Sequence, residues 1–463
     1  LARLHIPNEV QTLLSLGLCF RDRRRLVVPI EALNALPCMI PPAMPGPTPD
    51  AQPQEYAVLR YSLETLTAAI EHVRPVAITP YRASADRAAA YQPLLLPHEG
   101  ASELSRQLNL PTIDLLLLLS LLHTTGAVGP ARGRWQVQPE WSALCKQAPR
   151  ALLTALLDAW QRPRQVSDLG ATREFVWICA PDVDGSTVVA QHEATIRAIV
   201  WRWLLWSQQQ PFDIELFART LTALHAPLFH FTEDSPIWIG RVGAARYQPL
   251  DESTLPTVAL ALIRQMLHQL ARLGLVVVDG QSCALTPTAH WLHSGQPLVV
   301  EPPAVYSDSG TTLLVHPLAV APDLIQLVST AGQMLPPQDA HSRYQLAADG
   351  MVRLLEDGVP IAEFERALLR SGADLTPAFR SQLALWAERA GRLRLHHPLT
   401  MIVTAEDTPI AQILAAAGVV DAAEVLGPGC ALIEPEYVDL AVEQLRTRGF
   451  WPLVVGGAAA AEI

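Results

Sequence analysis

The chain has 463 residues, enough for about three domains, and half of them are apolar against 17% charged, which excludes intrinsic disorder. Its formal net charge is −11, from 34 basic and 45 acidic side chains. That balance excludes a basic surface spread over the whole chain, so any contact with nucleic acid has to be local.

The longest apolar run, Leu115 to Leu122 with Ser120 inside it, falls short of the roughly 20 residues a membrane-spanning helix needs. The opening Leu-Ala-Arg-Leu-His-Ile-Pro has no basic start, apolar stretch and cleavage site in series, so a cytoplasmic chain without a membrane partner is expected. A start at Leu1 also fits a fragment. Cys19, Cys38, Cys145, Cys179, Cys283 and Cys430 stand singly with no C-x-x-C pair, which predicts buried thiols rather than a metal centre.

In chain order, the first feature is an apolar stretch closed by Gly17, followed by strand-like residues, a turn and the segment Arg25-Leu26-Val27-Val28-Pro29. Residues 41–54 carry Pro at short intervals; each Pro removes a donor and fixes φ, so the stretch reads as a linker. The first pattern then recurs twice. Leu122-His123-Thr124-Thr125-Gly126-Ala127-Val128 leads to Trp135-Gln136-Val137-Gln138-Pro139, and Ala271-Arg272-Leu273-Gly274-Leu275-Val276 leads to Cys283-Ala284-Leu285-Thr286-Pro287. From Gly to Pro the spacings are 29 − 17 = 12, 139 − 126 = 13 and 287 − 274 = 13. Each Gly suits the left-handed position just past a helix end.

Helix, Gly, two-stranded ribbon and a short following helix (Glu31–Leu36, Glu140–Leu144, Thr288–Leu292) is the order of a winged helix. In the second copy an earlier helix is visible at Ser102–Leu108, before a turn at Leu110-Pro111. The helix from Thr112 to Leu122 is almost wholly apolar and is expected to be buried, whereas Val258 to Leu273 sets Arg264, His268 and Arg272 on one face. Arg21, Arg23, Arg24 and Arg25 fall in or beside the turn of the first ribbon, an element suited to tracking phosphates. These seven residues are the candidate nucleic-acid contacts.

A break through Gln296-Pro297, Pro302-Pro303 and Ser307–Gly310 precedes a compact α+β region. Three of its segments carry a resemblance: Ser342-Arg343-Tyr344-Gln345-Leu346; Leu354-Leu355-Glu356-Asp357-Gly358-Val359-Pro360; and Trp386-Ala387-Glu388-Arg389-Ala390-Gly391-Arg392-Leu393-Arg394-Leu395. In this order they resemble the N-terminal, helicase-associated domain of XPB-type helicases, over about the last 150 residues. The upstream units are similar to those that precede this domain in bacterial helicase-associated proteins, and the architecture is similar to the large non-catalytic subunit that clasps XPB in a transcription and repair complex. The resemblance implies a superfamily-two helicase as partner and a place in DNA repair.

The expected architecture is therefore multidomain, mainly α with α+β: a partial winged-helix-like unit at 1–40, a linker at 41–54, a second unit at 55–165, a helical region with a third unit at 166–296, a linker at 297–310 and an XPB N-terminal-like domain at 311–463. An XPB helicase continues into an ATPase motor, whose phosphate loop needs G-x-x-x-x-G-K-[ST]. Lys146, the one lysine, sits in Cys145-Lys146-Gln147-Ala148, so no such loop occurs and no cofactor is expected.

Other catalytic patterns are incomplete. His192-Glu193 begins like H-E-x-x-H, but Ile196 stands where the second His belongs. His290 and His293 have helical ligand spacing without an acidic or Cys partner nearby in sequence, and Trp201, Trp203 and Trp206 lie on an apolar helix that predicts core. From Ser307 to Ile463 there are 10 Arg against 19 acids, a balance that opposes phosphate and favours a protein partner; residues 1–45 have five Arg against three acids. The leading expectation is a non-enzymatic protein that docks a superfamily-two helicase and touches DNA weakly. A winged-helix transcriptional regulator and a helicase piece lacking its motor are the alternatives.

Overall fold

The computed structural model describes residues 20–22, 25–27, 46–51, 54–70, 98–131, 134–163, 167–172, 174–179, 185–206, 210–224, 237–241, 255–295, 298, 303–308, 310–390, 393–396, 401–405 and 408–455. They form a mixed α/β chain of helices and small, largely antiparallel sheets around three apolar cores.

Strands β1 (Phe20–Asp22) and β2 (Arg25–Val27) pair antiparallel as the first expected ribbon, Phe20 opposite Val27 and Asp22 opposite Arg25. The helices expected on either side of it, ending at Gly17 and running over 31–36, lie outside the described residues.

The next unit contains α1 (Tyr56–Ala68), α2 (His98–Leu108), α3 (Thr112–Thr124), β3 (Val128–Ala131), β4 (Arg134–Val137) and α4 (Pro139–Cys145). The turn between α2 and α3 places Asn109 at φ 51°. Its backbone closes through Leu110 N–H donating to Ser105 O at 3.0 Å. Helix α3 is buried along almost its whole length, Leu115 and Leu117 to Leu122 included, as its composition predicts.

After α5 (Pro149–Gln161), α6 (Asp168–Ala171), β5 (Phe175–Cys179) and α7 (Gly185–Trp206), the chain runs through β6 (Phe212–Asp213), α8 (Ile214–Leu224) and β7 (Ile237–Arg241). It then forms α9 (Leu255–Arg272), β8 (Val276–Asp279), β9 (Ser282–Leu285) and α10 (Pro287–Ser294). Helix α9 buries Leu255, Val258, Ala259, Leu262, Ile263, Met266, Leu267 and Leu270, the three-and-four spacing of one helix face. β6 pairs with β9, Phe212 opposite Cys283, giving a sheet in the order β6-β9-β8; β7 pairs with β5.

The second and third units repeat residue for residue. β3 and β8, β4 and β9, and the helix starts Pro139 and Pro287 are each separated by 148 residues (276 − 128). The closing hydrogen bonds repeat at the same offset. Gly126 N–H donates to His123 O (3.0 Å) and Gly274 N–H to Ala271 O (2.9 Å); Gln138 N–H donates to Ala127 O (2.9 Å) and Thr286 N–H to Leu275 O (3.1 Å). Both glycines have the expected left-handed backbone, φ 80° and 72°. Pro at the first helical turn recurs because its missing N–H has no intrahelical partner there.

One core spans Tyr56 to Leu292, across the boundary expected at 165/166, so these two units share an interior. Within the expected 41–54 linker, the described residues 46–51 and 54 lie as a strap on the third unit. Gly46 N–H donates to Pro211 O (3.0 Å), Asp50 N–H to Asp279 Oδ2 (3.0 Å) and Gln54 Nε2 to Arg272 O (2.7 Å). A side chain at Gly46 would put its Cβ 2.4 Å from the Phe212 carbonyl carbon, so only glycine allows that approach.

The C-terminal region also departs from expectation. It begins inside the expected 297–310 linker, with β10 (Val305–Ser307), and continues as β11 (Thr312–Val315), α11 (Pro322–Ala331), β12 (Gly332–Gln338), β13 (His341–Leu346), α12 (Ala348–Glu356), α13 (Ile361–Arg370) and α14 (Pro377–Arg389). The sheet order is β10-β11-β13-β12, over a core that includes Phe364, Phe379 and Trp386.

A second sheet with its own core follows, where a single 311–463 domain was expected. It comprises β14 (Leu393–His396), β15 (Met401–Thr404), α15 (Ile410–Ala417), β16 (Ala423–Gly427), β17 (Cys430–Ile433), α16 (Val438–Thr447) and β18 (Leu453–Val455), ordered β16-β17-β15-β14-β18. Helix α1 joins the two halves: Leu59, Leu63 and Leu66 enter the first core while the helix packs on β12 and β13.

Candidate nucleic-acid interface

The seven candidate residues fall in two places. Arg21 lies in β1 and Arg25 in β2, on facing strands of the first ribbon, while Arg23 and Arg24 lie outside the described residues. Arg264, His268 and Arg272 lie along α9, as the spacing requires, but they do not form a free stripe.

Arg264 is exposed. Arg272 Nη2 sits 2.6 Å from Asp114 Oδ2 and His268 Nε2 sits 3.3 Å from Asp114 Oδ1. Asp114 is buried in the first turn of α3, where the positive end of the helix dipole also favours a carboxylate. Arg272 is held further by Gln54, whose Oε1 accepts from Nη1 at 3.3 Å while its Nε2 donates to the Arg272 carbonyl. Two of the three side chains thus join the second unit and the strap to the third. Sequence reading of α9 alone missed this, because the partner acid lies 154 residues away. An acid at the start of an otherwise leucine-rich helix was the available signal.

The polar groups at the centre of the first core form a second arrangement that periodicity did not expose. Arg197 Nη1 donates to Asp168 Oδ2 (2.5 Å) and Nη2 to the Arg162 carbonyl (2.7 Å). Gln269 Nε2 donates to Asp168 Oδ1, and Trp160 Nε1 to Gln269 Oε1, each at 2.7 Å. Glu193 accepts from Ser167 Oγ (2.8 Å) and from the backbone N–H groups of Asp168 (2.9 Å) and Leu169 (3.1 Å). Trp160, Asp168 and Arg197 are fully buried, and the chain of bonds ties α5, α6, α7 and α9 together. Glu193, the acid of the incomplete H-E-x-x-H, is therefore a helix-capping carboxylate inside the core. Its signal was an acid and an arginine one helical turn apart in an apolar helix.

The remaining sequence features find packing roles. Trp201 and Trp203 are buried, with Trp206 packed against the same core. His290 is half-buried, and burial followed by its neighbour His293 lowers its pKa from the usual histidine value; His293 is exposed. No group of three or more His, Cys, Asp or Glu able to hold a metal ion occurs among the described residues. Cys283 is buried, and burial raises its pKa. Cys145 and Cys430 are only half-buried, contrary to the expectation of buried thiols, because each sits at the edge of its core. Burial still pushes the Cys145 thiol up to about 12. No helix among the described residues is long and apolar enough to cross a membrane.

These arrangements offer a short arginine ribbon, one exposed arginine on α9 and a carboxylate shared by Arg272 and His268. Neither a protein-family profile nor a curated protein sequence matches this chain.

Proposed function

We propose that this chain is a non-catalytic, helicase-associated protein, in which tandem winged-helix-like units contact DNA weakly and the acidic C-terminal region docks a superfamily-two helicase. The observation that carries the reading is the strand order β6-β9-β8, with α7 before β6 and α8, β7 and α9 between β6 and β8, β7 itself pairing away from this sheet with β5. With β7 set apart, a helix, a strand, two helices and a hairpin whose last strand takes the central place is the order expected of a winged helix, and it supports that reading. The helix–Gly–ribbon–Pro module recurring 148 residues earlier supports a tandem array. For the C-terminal region the support is the resemblance to the XPB N-terminal domain, now divided over two sheets, and its charge balance.

In this reading DNA contact centres on the first ribbon, Arg21, Arg23, Arg24 and Arg25, with Arg264 as a flanking phosphate contact. His268 and Arg272 are both engaged by Asp114, so they contribute less than their position on the helix face implies.

The test has two arms. Affinity capture of the full chain from its native cell, followed by identification of co-purifying ATPases, should recover a superfamily-two helicase. Titration of duplex DNA against the chain with Arg21, Arg23, Arg24 and Arg25 replaced by Ala should show weaker binding regardless of sequence, with the slope of log K against log salt reduced by about one unit per phosphate contact. Capture without any helicase removes the docking reading; unchanged affinity and slope remove the ribbon.

A further inference from the structure

Strand β16 ends its sheet. It pairs with β17 on one side, and no described strand pairs with its other side. The register puts Ala423 opposite Ile433, Glu424 opposite Leu432 and Val425 opposite Ala431. Glu434 N–H donates to Ala422 O at 3.4 Å, so the 422/434 and 424/432 pairs are those that exchange hydrogen bonds. In an antiparallel ladder the residues between them turn their N–H and C=O outward. The backbone groups of Ala423 and Val425 therefore face away from β17, along the open edge.

The side chains on this edge are uncommon for an uncovered one. Ala431 and Ile433 are buried in the core beneath α15 and α16, and alternation places Ala423 and Val425 on that same face. Yet Val425 is 55% exposed, and Leu426, at the bulge before Gly427, is 54% exposed. Glu424 stands on the opposite face, also exposed. Between Val420 and Leu440 there are five acids, Asp421, Glu424, Glu434, Glu436 and Asp439, and no Lys or Arg. Soluble proteins protect such edges with lysine or proline, and this one has neither in the strand.

We infer that the outer edge of β16 takes an added strand from a partner protein, and that this strand alternates apolar and basic side chains. Its apolar residues would lie beside Val425 on the helix-covered face, and its Arg or Lys residues beside Glu424 on the other. Main-chain hydrogen bonds to Ala423 and Val425 would supply affinity, and the charge pattern specificity. A second copy of this chain is the poorer occupant, since edge-to-edge pairing would bring two acidic fringes together. The inference rests on the reading that the acidic C-terminal region meets a protein, and it fixes which strand does so and with what chemistry.

The experiment uses the full chain and a fluorescent peptide of about ten residues alternating Val and Arg, the length of a long edge strand, with binding read by anisotropy. Two control peptides accompany it: one alternating Val and Glu, and one with the Val/Arg sequence N-methylated at every second residue, which keeps the charge and blocks strand pairing. Val425→Pro removes an N–H that faces solvent, so circular dichroism should stay unchanged. Glu424→Lys reverses the charge on the outer face.

Expected are binding of the Val/Arg peptide, a loss of about tenfold or more both with Val425→Pro and with N-methylation, and a switch of preference toward the Val/Glu peptide in Glu424→Lys. No binding to the wild-type chain, or equal binding of the plain and N-methylated peptides, would overturn the inference; the latter result would not depend on how the variants fold. A wild-type dimer that Val425→Pro dissociates would overturn it in favour of self-pairing. Undiminished helicase capture by Val425→Pro would discard the edge and keep helicase docking, whereas peptide binding at the edge by a chain that captures no helicase would keep the edge and discard helicase docking.

Discussion

The second and third units share a hairpin to the residue, yet they present different surfaces. Helix α3 is apolar all round and lies inside the core, while α9 buries one face and exposes Arg264. The short helices after the hairpins differ too: α4 buries none of its residues, whereas α10 buries Ala289 and Leu292 and is capped at both ends, by Thr286 and by left-handed Gly295. What repeats is the backbone geometry fixed by a positive-φ glycine, a two-residue turn and a helix-starting proline. What does not repeat is the surrounding contact set. A repeated topology therefore does not predict a repeated binding face, and Asp114 shows why, since it brings the buried helix of one unit onto the polar side of the other.

The strongest way to break the comparison is to remove the buried ion pair between α6 and α7, which lies in the region of the third unit. Arg197→Ala strands Asp168 as an unpaired buried charge and should cost about 3–5 kcal/mol in urea unfolding. Native-state amide exchange should show protection falling further over 255–294 than over 112–145. Equal loss over both would make the two units one cooperative block.

A smaller difference is expected at the paired glycines. Ala at either position is strained by positive φ, but at Gly274 its Cβ would also meet the Gln54 carbonyl oxygen at 2.5 Å, whereas at Gly126 the nearest atom is 3.9 Å away. Gly274→Ala should cost about 3 kcal/mol and Gly126→Ala about 1, measured in parallel thermal melts. Equal costs would mean that the strap peels off readily.

The smallest contrast lies at the helix starts. The Thr286 hydroxyl accepts from Ala289 N–H (3.1 Å) and donates to Gly274 O (2.7 Å), while Gln138 makes no side-chain cap. Thr286→Ala should lose about 1 kcal/mol and Gln138→Ala a few tenths or less. A matching loss at Gln138 would show that its contact to the Gln136 carbonyl contributes as much as a cap.

Local features were legible in the sequence because their causes are local. Gly126 and Gly274 announce helix ends, Pro139 and Pro287 announce helix starts, and a leucine run announces a buried helix; all three follow from one residue or its near neighbours. The α+β character of the C-terminal region was readable for the same reason. Its division into two cores was not, because which sheet a strand joins depends on pairing partners far along the chain, and Arg394, in a strand read as part of one domain, pairs both with Val403 and, in parallel, with Leu453. At the candidate interface, helical spacing placed Arg264, His268 and Arg272 on one side of α9 but carried no information about Asp114. The strap escaped notice because proline content says that a segment cannot build a ladder, and does not say that it cannot lie on one.

That strap sets an order of events during synthesis. Asp50 finds its acceptor on Asp279, 229 residues later, and Gln54 reaches Arg272 across 218. A ribosome adding about 5–20 residues per second needs roughly 10–45 s to bridge such a gap. Throughout that interval Asp50 and Gln54 have no seat, because their partners have not yet been made. The nascent chain can therefore lay these two residues down only after the third unit has emerged, which makes the last hairpin of the array the gatekeeper for a segment that precedes the whole second unit.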